Sequence, residues 1–273
     1  MSSPKQLGSP IRMAPNRRTT IFETPLPSIP VENTIAPREM VKYGCPYNQL
    51  DRVFIGLHPS WNGIDAIEFK DGAPVGYLSH YNPEGKDIPL QRLTQVSHPS
   101  FLAFKEVFVS RENVYFLYGQ WGVTLHQIRS LSPLFQLGEA EVAIICKKVL
   151  EGLVYIHKDL NIFYGNLKCS DIIITHEGDV KIVGLGRTVF QKPGLLGKNR
   201  DVQDVCEIAR LLLEREDGSC GPLRLLAQDF MGAPPTATAE TLLKHPYLQV
   251  NVPSWCLRTV PILYSIAQQK KVS

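Results

Sequence analysis

The side chains that could do chemistry crowd into one stretch, Leu153 to Gly186. An amphipathic run ends in Tyr155-Ile156-His157. Then come Ile162-Phe163-Tyr164-Gly165-Asn166-Leu167-Lys168-Cys169-Ser170-Asp171, a turn at Glu177-Gly178, and Lys181-Ile182-Val183-Gly184-Leu185-Gly186. A carboxamide, a cation and a carboxylate (Asn166, Lys168, Asp171) therefore share one short loop. His157 and His176 flank it and read as structural. The six cysteines, Cys45, Cys146, Cys169, Cys206, Cys220 and Cys256, are far apart with no Cys-x-x-Cys pair. That spacing offers nothing to zinc, and reduced thiols in a reducing compartment are expected.

The elements that must position this loop follow from periodicity. Val142, Ile145, Cys146, Val149, Leu153 and Ile156 recur at steps of three and four, one apolar stripe on a helix of about five turns. Ile172-Ile173-Ile174 and Val180 to Val183 predict two short strands. Helices are expected at about 201–215, 222–231 and 238–245. Upstream, Val53-Phe54-Ile55, Ile64 to Phe69, Val75 to Leu78, Phe104 to Val109 and Val114 to Tyr118 are short apolar or alternating runs. Turn residues separate them, which predicts an antiparallel sheet. One short helix is expected at 86–97, with Pro89 limiting its start. Trp121 and His126, beyond Tyr118-Gly119-Gln120, read as ordinary packing.

Composition bounds the rest. The chain has 273 residues, 44% apolar and 20% charged, with a formal net charge of +3. These values exclude a charge-rich disordered chain and a strongly basic nucleic-acid binder. No run reaches the roughly 18–20 apolar residues of a membrane span. No apolar stretch follows Met1-Ser2-Ser3-Pro4-Lys5, so an intracellular protein is expected, with the cytoplasm favoured over the nucleus. Residues 1–40 hold Pro4, Pro10, Pro15, Pro25, Pro27, Pro30 and Pro37, which leaves no helical or strand period, and a disordered tail is expected. Its candidate phosphorylation sites are Ser3, Ser9 and Thr24 before proline, and Thr19 and Thr20 after Arg17-Arg18. Pro27-x-x-Pro30 could enter an SH3-like aromatic groove as a polyproline helix.

The segment Leu153–Gly186 resembles the catalytic and metal-binding loops of eukaryotic protein kinases, whose order is helix, H-R-D-L-K-x-x-N loop, hairpin, D-F-G. His98-Pro99-Ser100-Phe101-Leu102 is similar to that family's turn after its αC helix. Ala237-Thr238-Ala239-Glu240-Thr241-Leu242-Leu243-Lys244-His245-Pro246-Tyr247 is similar to its C-terminal segment, most like the PAK-like serine/threonine group. Asp204-Val205-Cys206-Glu207-Ile208-Ala209 resembles its D-V-W-S-L-G helix. The resemblance covers roughly residues 48–250. It implies an α+β, bilobal protein-kinase-like fold with a small β-rich N-lobe (about 41–118) and a larger helical C-lobe (about 122–250). Within residues 41–250 Tyr164 and Tyr247 match buried positions. Residues 251–273 form an extension that packs back or docks a partner.

The departures from the pattern bear on function. Asn166 stands where the catalytic Asp belongs, and a carboxamide cannot take up a substrate hydroxyl proton. Gly165 and Tyr164 replace the Arg and His before it. Gly184 replaces the metal-binding Asp, and Leu185 its Phe. On the expected alignment Leu78 replaces the phosphate-binding Lys. The glycine-rich loop keeps only Gly56 and Gly63, with Pro59 and Trp61 in the way of a close backbone approach to phosphate. The αC Glu has no clear match, and no A-P-E follows Gly186.

What survives is Lys168, which could reach a phosphate or be a surface lysine. Asp171, in place of the metal-binding Asn, could hold magnesium or cap the loop. Lys70, ending the second strand, is either a relocated phosphate partner or a solvated strand end. The expectation is a catalytically inactive, kinase-like scaffold or allosteric regulator in signalling, with protein partners that could include an active kinase. No cofactor is expected. The alternatives are an atypical ATP- and Mg-dependent serine/threonine kinase and an ATP-binding sensor without turnover.

Overall fold

A computed structural model describes residues 40–61, 63–84, 97–132, 134–185, 195–214, 223–250 and 253–272. The first part is a six-stranded sheet: β1 (Val41–Tyr43), β2 (Val53–Trp61), β3 (Ile64–Lys70), β4 (Ala73–Tyr81), β5 (Phe104–Val109) and β6 (Val114–Tyr118). Their order is β1-β5-β6-β4-β3-β2. All neighbours are antiparallel except β1, which lies parallel to β5.

Strand alternation gives this sheet two unlike faces. On one, Ala66, Leu78, Phe108 and Leu117 form a small cluster of their own with Phe54 and Tyr115 against it. Arg52 lies over it, 5.3 Å from the Phe108 ring, and pairs with Glu68 at 2.9 Å and Glu106 at 2.5 Å. A Cβ at Gly76 would stand 2.7 Å from Glu68 Oε2 and 2.8 Å from Leu117 Cδ1, so the glycine leaves room for the ends of both side chains. The other face carries Phe116, Tyr118, Ile67 and Tyr77 and is continuous with the core of the helical part.

That second part contains β7 (Gly122–Thr124), α1 (Leu125–Arg129), α2 (Glu139–Lys158), β8 (Ile172–Thr175), β9 (Val180–Ile182), α3 (Leu195–Leu213), α4 (Arg224–Met231), α5 (Ala239–Leu243) and α6 (Val260–Val272). The stripe read from the sequence is the buried face of α2: Val142, Ile145, Cys146, Val149, Leu153 and Ile156 are all inaccessible or nearly so. Each Leu or Ile there contributes about 1.5–3 kcal/mol by burial. At Gly152 this helix is crossed closely by two other segments. A Cβ there would lie 3.0 Å from Ile182 and Ser100 and 3.2 Å from Phe101.

The turn at His98 is sewn to β9 by backbone bonds from Leu102 N to Ile182 O (3.0 Å) and from Ile182 N to Ser100 O (2.7 Å). His98 also stacks on Tyr155 of α2, with ring centroids 4.8 Å apart. These bonds join the strand-rich part to the helical part at the rear.

Sequence periodicity left three pieces unread. β1 and β7 are too short to show a period. The segment after Pro253 is helical, and it buries Leu257, Val260, Tyr264 and Ala267 in the main core while Trp255 stays largely exposed. α3 also begins at Leu195, earlier than expected. Residues 1–39 of the tail with its candidate sites, residues 86–96 of the helix expected at 86–97, and residues 186–194 lie outside the described residues. No described helix is long and apolar enough to cross a membrane.

Candidate functional site

The loop from Ile162 to Asp171 leaves α2 and is held by carboxylates from below. Asp201, on α3 and wholly inaccessible, accepts the Tyr164 N–H at 2.6 Å and the Gly165 N–H at 2.7 Å. Its Oδ2 also meets His157 Nε2 at 2.8 Å. One turn further, Asp204 Oδ2 accepts the Leu167 N–H at 2.9 Å. Burial pushes the Asp204 carboxyl above its ordinary value, against the opposing pull of Arg200 and the Leu167 N–H. Lys198 closes the loop's entry by donating to His157 O (2.6 Å) and Asn161 Oδ1 (2.7 Å).

These bonds force an unusual backbone. Gly165 and Asn166 are both left-handed, at φ +73° and +65°. Glycine adopts that conformation freely, and Asn is one of the few other residues that tolerates it.

The same network brings the other loop in. Tyr164 Oη donates to Val183 O at 2.9 Å, and Val183 N donates to Asp171 O at 2.9 Å. Gly184, left-handed at φ +77°, therefore follows directly beside the loop. Asp171 Oδ2 accepts the Lys168 N–H at 2.9 Å, a capping bond, and Lys168 itself is exposed. So the fold does gather Asn166, Lys168, Asp171 and Gly184. The carboxylates in this network, Asp171, Asp201 and Asp204, each accept a backbone N–H of the loop.

Two sequence expectations need correction. The helix residue expected to match the D-V-W-S-L-G aspartate was Asp204, but the carboxylate that fastens the loop at Tyr164 and Gly165 is Asp201. Asp204, three residues on, holds the loop at Leu167 instead. The second concerns Leu78. In the β4–β6 register Tyr77 faces Tyr118, Leu78 faces Leu117 and Ser79 faces Phe116. Leu117 and Leu78 share the small outer cluster, whereas Phe116, Tyr118 and Tyr77 belong to the core shared with the helical part. Leu78 thus points away from the cleft. A one-residue slip in a strand moves a side chain to the opposite face. The β4 side chains that turn towards the cleft at this point are Tyr77 and Ser79, and neither is a cation.

Lys70 is exposed at the β3–β4 turn, paired in register with Ala73. It sits six residues from Ile64, which is about 20 Å of strand at roughly 3.3 Å per residue. β2 spans the glycine-poor loop, and its pairing with β3 is irregular between Gly56 and Trp61. The side chains of residues 58–61 are outside the described set.

Three aromatic rings meet where the lobes join, and Trp121 among them packs as the sequence reading expected. Trp121 lies on the connector between β6 and β7. It packs on Tyr77 of β4 with ring centroids 6.2 Å apart and planes at 28°, and on Tyr118 at 5.7 Å. Trp121 and Tyr118 are buried. Among the described residues, no acceptor meets the buried indole N–H of Trp121.

Comparison with known proteins agrees with this architecture. The protein kinase domain family matches residues 89–199. The fold is protein-kinase-like. Similar curated proteins include the mitogen-activated protein kinase kinase SIPKK of Nicotiana tabacum, 48% identical over 56 residues, 20% of this chain and 16% of that protein. The serine/threonine-protein kinase TAO3 of Xenopus laevis is 24% identical over 161 residues, 52% of this chain and 17% of that protein. Cyclin-dependent kinase 10 of Homo sapiens is 31% identical over 119 residues, 43% of this chain and 30% of that protein. The matches thus span less than a third of the length of these relatives.

Proposed function

We propose that this chain is a catalytically inactive, kinase-like protein that serves signalling as a scaffold or allosteric regulator. The observation that carries the reading is the contrast within one loop. The backbone fastenings of the catalytic loop are complete, from Asp201, Asp204 and Asp171, while the groups that do chemistry in the resembling family are replaced by Asn166 and Gly184. Phosphoryl transfer rests on positioned charges around the phosphates, the metal and the nucleophile. A general base contributes roughly 10²–10⁴ in rate, and Asn166 cannot supply one.

The donor set also fits magnesium poorly. Gly184 offers no ligand atom, and the remaining carboxylate, Asp171, already accepts the Lys168 N–H. The matched relatives, named as a mitogen-activated protein kinase kinase and a serine/threonine-protein kinase, support the setting of the proposal. The closer likeness to PAK-like kinases, the intracellular site and an active kinase as partner belong to the same proposal.

A thermal-shift titration with ATP, with and without magnesium, tests it. The expected result is no magnesium-dependent rise in the unfolding midpoint at millimolar nucleotide. A magnesium-dependent rise of several degrees that is lost in Asp171→Ala would favour an atypical kinase instead.

A further inference from the structure

Residues 251–273 carry a charge balance unlike the rest of the chain. They hold Arg258, Lys270 and Lys271 and no Asp or Glu. The formal net charge of the whole chain is +3, so this segment alone accounts for it and the remainder is balanced. The segment folds into a 3-10 turn, Ser254–Thr259, and then α6. One side of it is sunk in the core through Leu257, Val260, Tyr264 and Ala267. Its start is fixed to the β8–β9 turn, where Arg258 Nε donates to Glu177 O at 2.9 Å. Gly178, left-handed at φ +85°, permits that approach, because a Cβ there would lie 2.7 Å from Arg258 N. Packing and this fastening hold α6 as a helix before any partner arrives.

The opposite side of α6 is apolar too. Ile262, Leu263 and Ile266 are 61%, 43% and 49% exposed, and Trp255, in the turn before, is 63% exposed. At 3.6 residues per turn Ile262, Ile266 and Lys270 form one row, with Leu263 beside it. The apolar ridge thus ends in an exposed lysine on the same face. Single exposed apolar residues are ordinary, but three on one helical face make a patch. The acids that reach this segment do so at its start. Burial, and then Glu141, push the Cys256 thiol up, and Glu177 binds Arg258 through its carbonyl. Lys270 lies ten residues beyond Val260, about 15 Å further along the helix.

We propose that this face of α6 docks on an anionic lipid surface, with Ile262, Leu263 and Ile266 at the boundary of headgroups and acyl chains and Lys270 and Lys271 towards acidic headgroups. The helix lies in the plane of the membrane, since its 13 residues span about 20 Å, short of the roughly 30 Å hydrocarbon core. Charge selects this occupant. A second copy of the same face brings three more cations and no acid to answer them. An apolar protein groove accounts for the ridge and leaves the cations unused. A lipid surface of negative charge uses both, and a tryptophan beside the ridge suits the membrane interface. The proposal is independent of what the cleft binds.

Co-sedimentation of the full chain with vesicles tests it, using phosphatidylcholine alone or mixed with phosphatidylserine. Binding to the mixed vesicles is expected, at least about tenfold tighter than to the neutral ones and weakened by salt. Lys270→Gln/Lys271→Gln is expected to lose roughly twentyfold on mixed vesicles. Ile262→Asn/Ile266→Asn is expected to lose at least about tenfold. Trp255 emission should shift to the blue on binding, and Trp255→Phe should lack that shift. If the asparagine variant does not melt cooperatively, the glutamine variant and the emission shift decide the matter.

Absence of binding to mixed vesicles would overturn the proposal. So would equal binding to neutral vesicles, or binding that folded variants of both kinds retain. Light scattering that finds a dimer broken by Ile262→Asn/Ile266→Asn, without vesicle binding, would assign the face to a second copy instead. None of these results touches the non-catalytic reading, which falls only to magnesium-dependent behaviour with nucleotide.

Discussion

Removing Asp201 should unfasten the loop, and the structure lets the size of the effect be worked out. Its carboxylate is inaccessible and receives the Tyr164 N–H, the Gly165 N–H and His157 Nε2, all within 2.8 Å. Asp201→Ala leaves two backbone donors and a largely buried imidazole without their acceptor. Each orphaned donor costs about 1–3 kcal/mol. Breaking a buried, hydrogen-bonded charged group costs about 3–5 kcal/mol in total. In a chain of this size about 1 kcal/mol moves the midpoint by roughly 2–4 °C, so a fall of about 6–20 °C is expected.

Asp201→Asn keeps one acceptor oxygen and should lose about half as much. Asp204→Ala should lose less, about 1–2 kcal/mol, because Asp204 makes one backbone bond and its Arg200 partner is largely exposed. Urea unfolding followed by far-UV circular dichroism, with an unchanged denaturant slope, measures all three. A loss below about 1 kcal/mol for Asp201→Ala, or a larger loss for Asp204→Ala, would refute the assignment of Asp201 as the principal fastening.

Three further outcomes are expected. Gly152→Ala gains helix propensity of up to about 1 kcal/mol but drives a methyl into Ile182, Ser100 and Phe101, so a net loss of about 1–2 kcal/mol should appear in the same urea assay. Burial lowers the His98 pKa, against the pull of Glu151 and Asp159. The stability this contributes is complete above the ordinary histidine value and is lost as pH falls through the lowered one. Stability measured from pH 7.5 to 5 should therefore decline less steeply in His98→Gln than in the wild type. Burial pushes the Cys146 thiol upward and those of Cys169 and Cys206 up to about 11. Alkylation of the native chain at pH 8, mapped by mass spectrometry, should spare these three and label Cys45, which is partly accessible.

Much of the fold was legible because its long elements carry strong periods. The stripe from Val142 to Ile156 and the alternating run Ile64–Phe69 place their residues on one face whatever surrounds them. The order of the loop, hairpin and C-terminal segment was legible for the same reason, since local spacing survives the loss of catalytic charge. β1 was hidden because its three residues pair only with β5, a contact remote in sequence.

The site was legible in its losses and not in its fastenings. Asn166 and Gly184 can be read directly as missing groups. Asp201 and Asp204 sit three residues apart on one helix, and only the bonds to Tyr164 and Gly165 tell them apart. The sequence signal that points to Asp201 is an acidic residue opening an otherwise apolar helical face. Leu78 illustrates the same limit. Placing it needed the register of β4 on β6, and an error of one residue exchanged the outer face for the cleft. Tyr77 escaped notice because an aromatic ring in an alternating strand looks like ordinary core until its partner, Trp121, is found on the connector.

The most direct measurement of the central claim is phosphoryl transfer itself. Purified full chain, γ-labelled ATP, magnesium and a generic protein substrate would be incubated beside a Lys168→Ala variant, and label would be followed on both the substrate and the chain. The account predicts no incorporation above that of Lys168→Ala. Magnesium-dependent incorporation by the wild type that disappears in Lys168→Ala would contradict it.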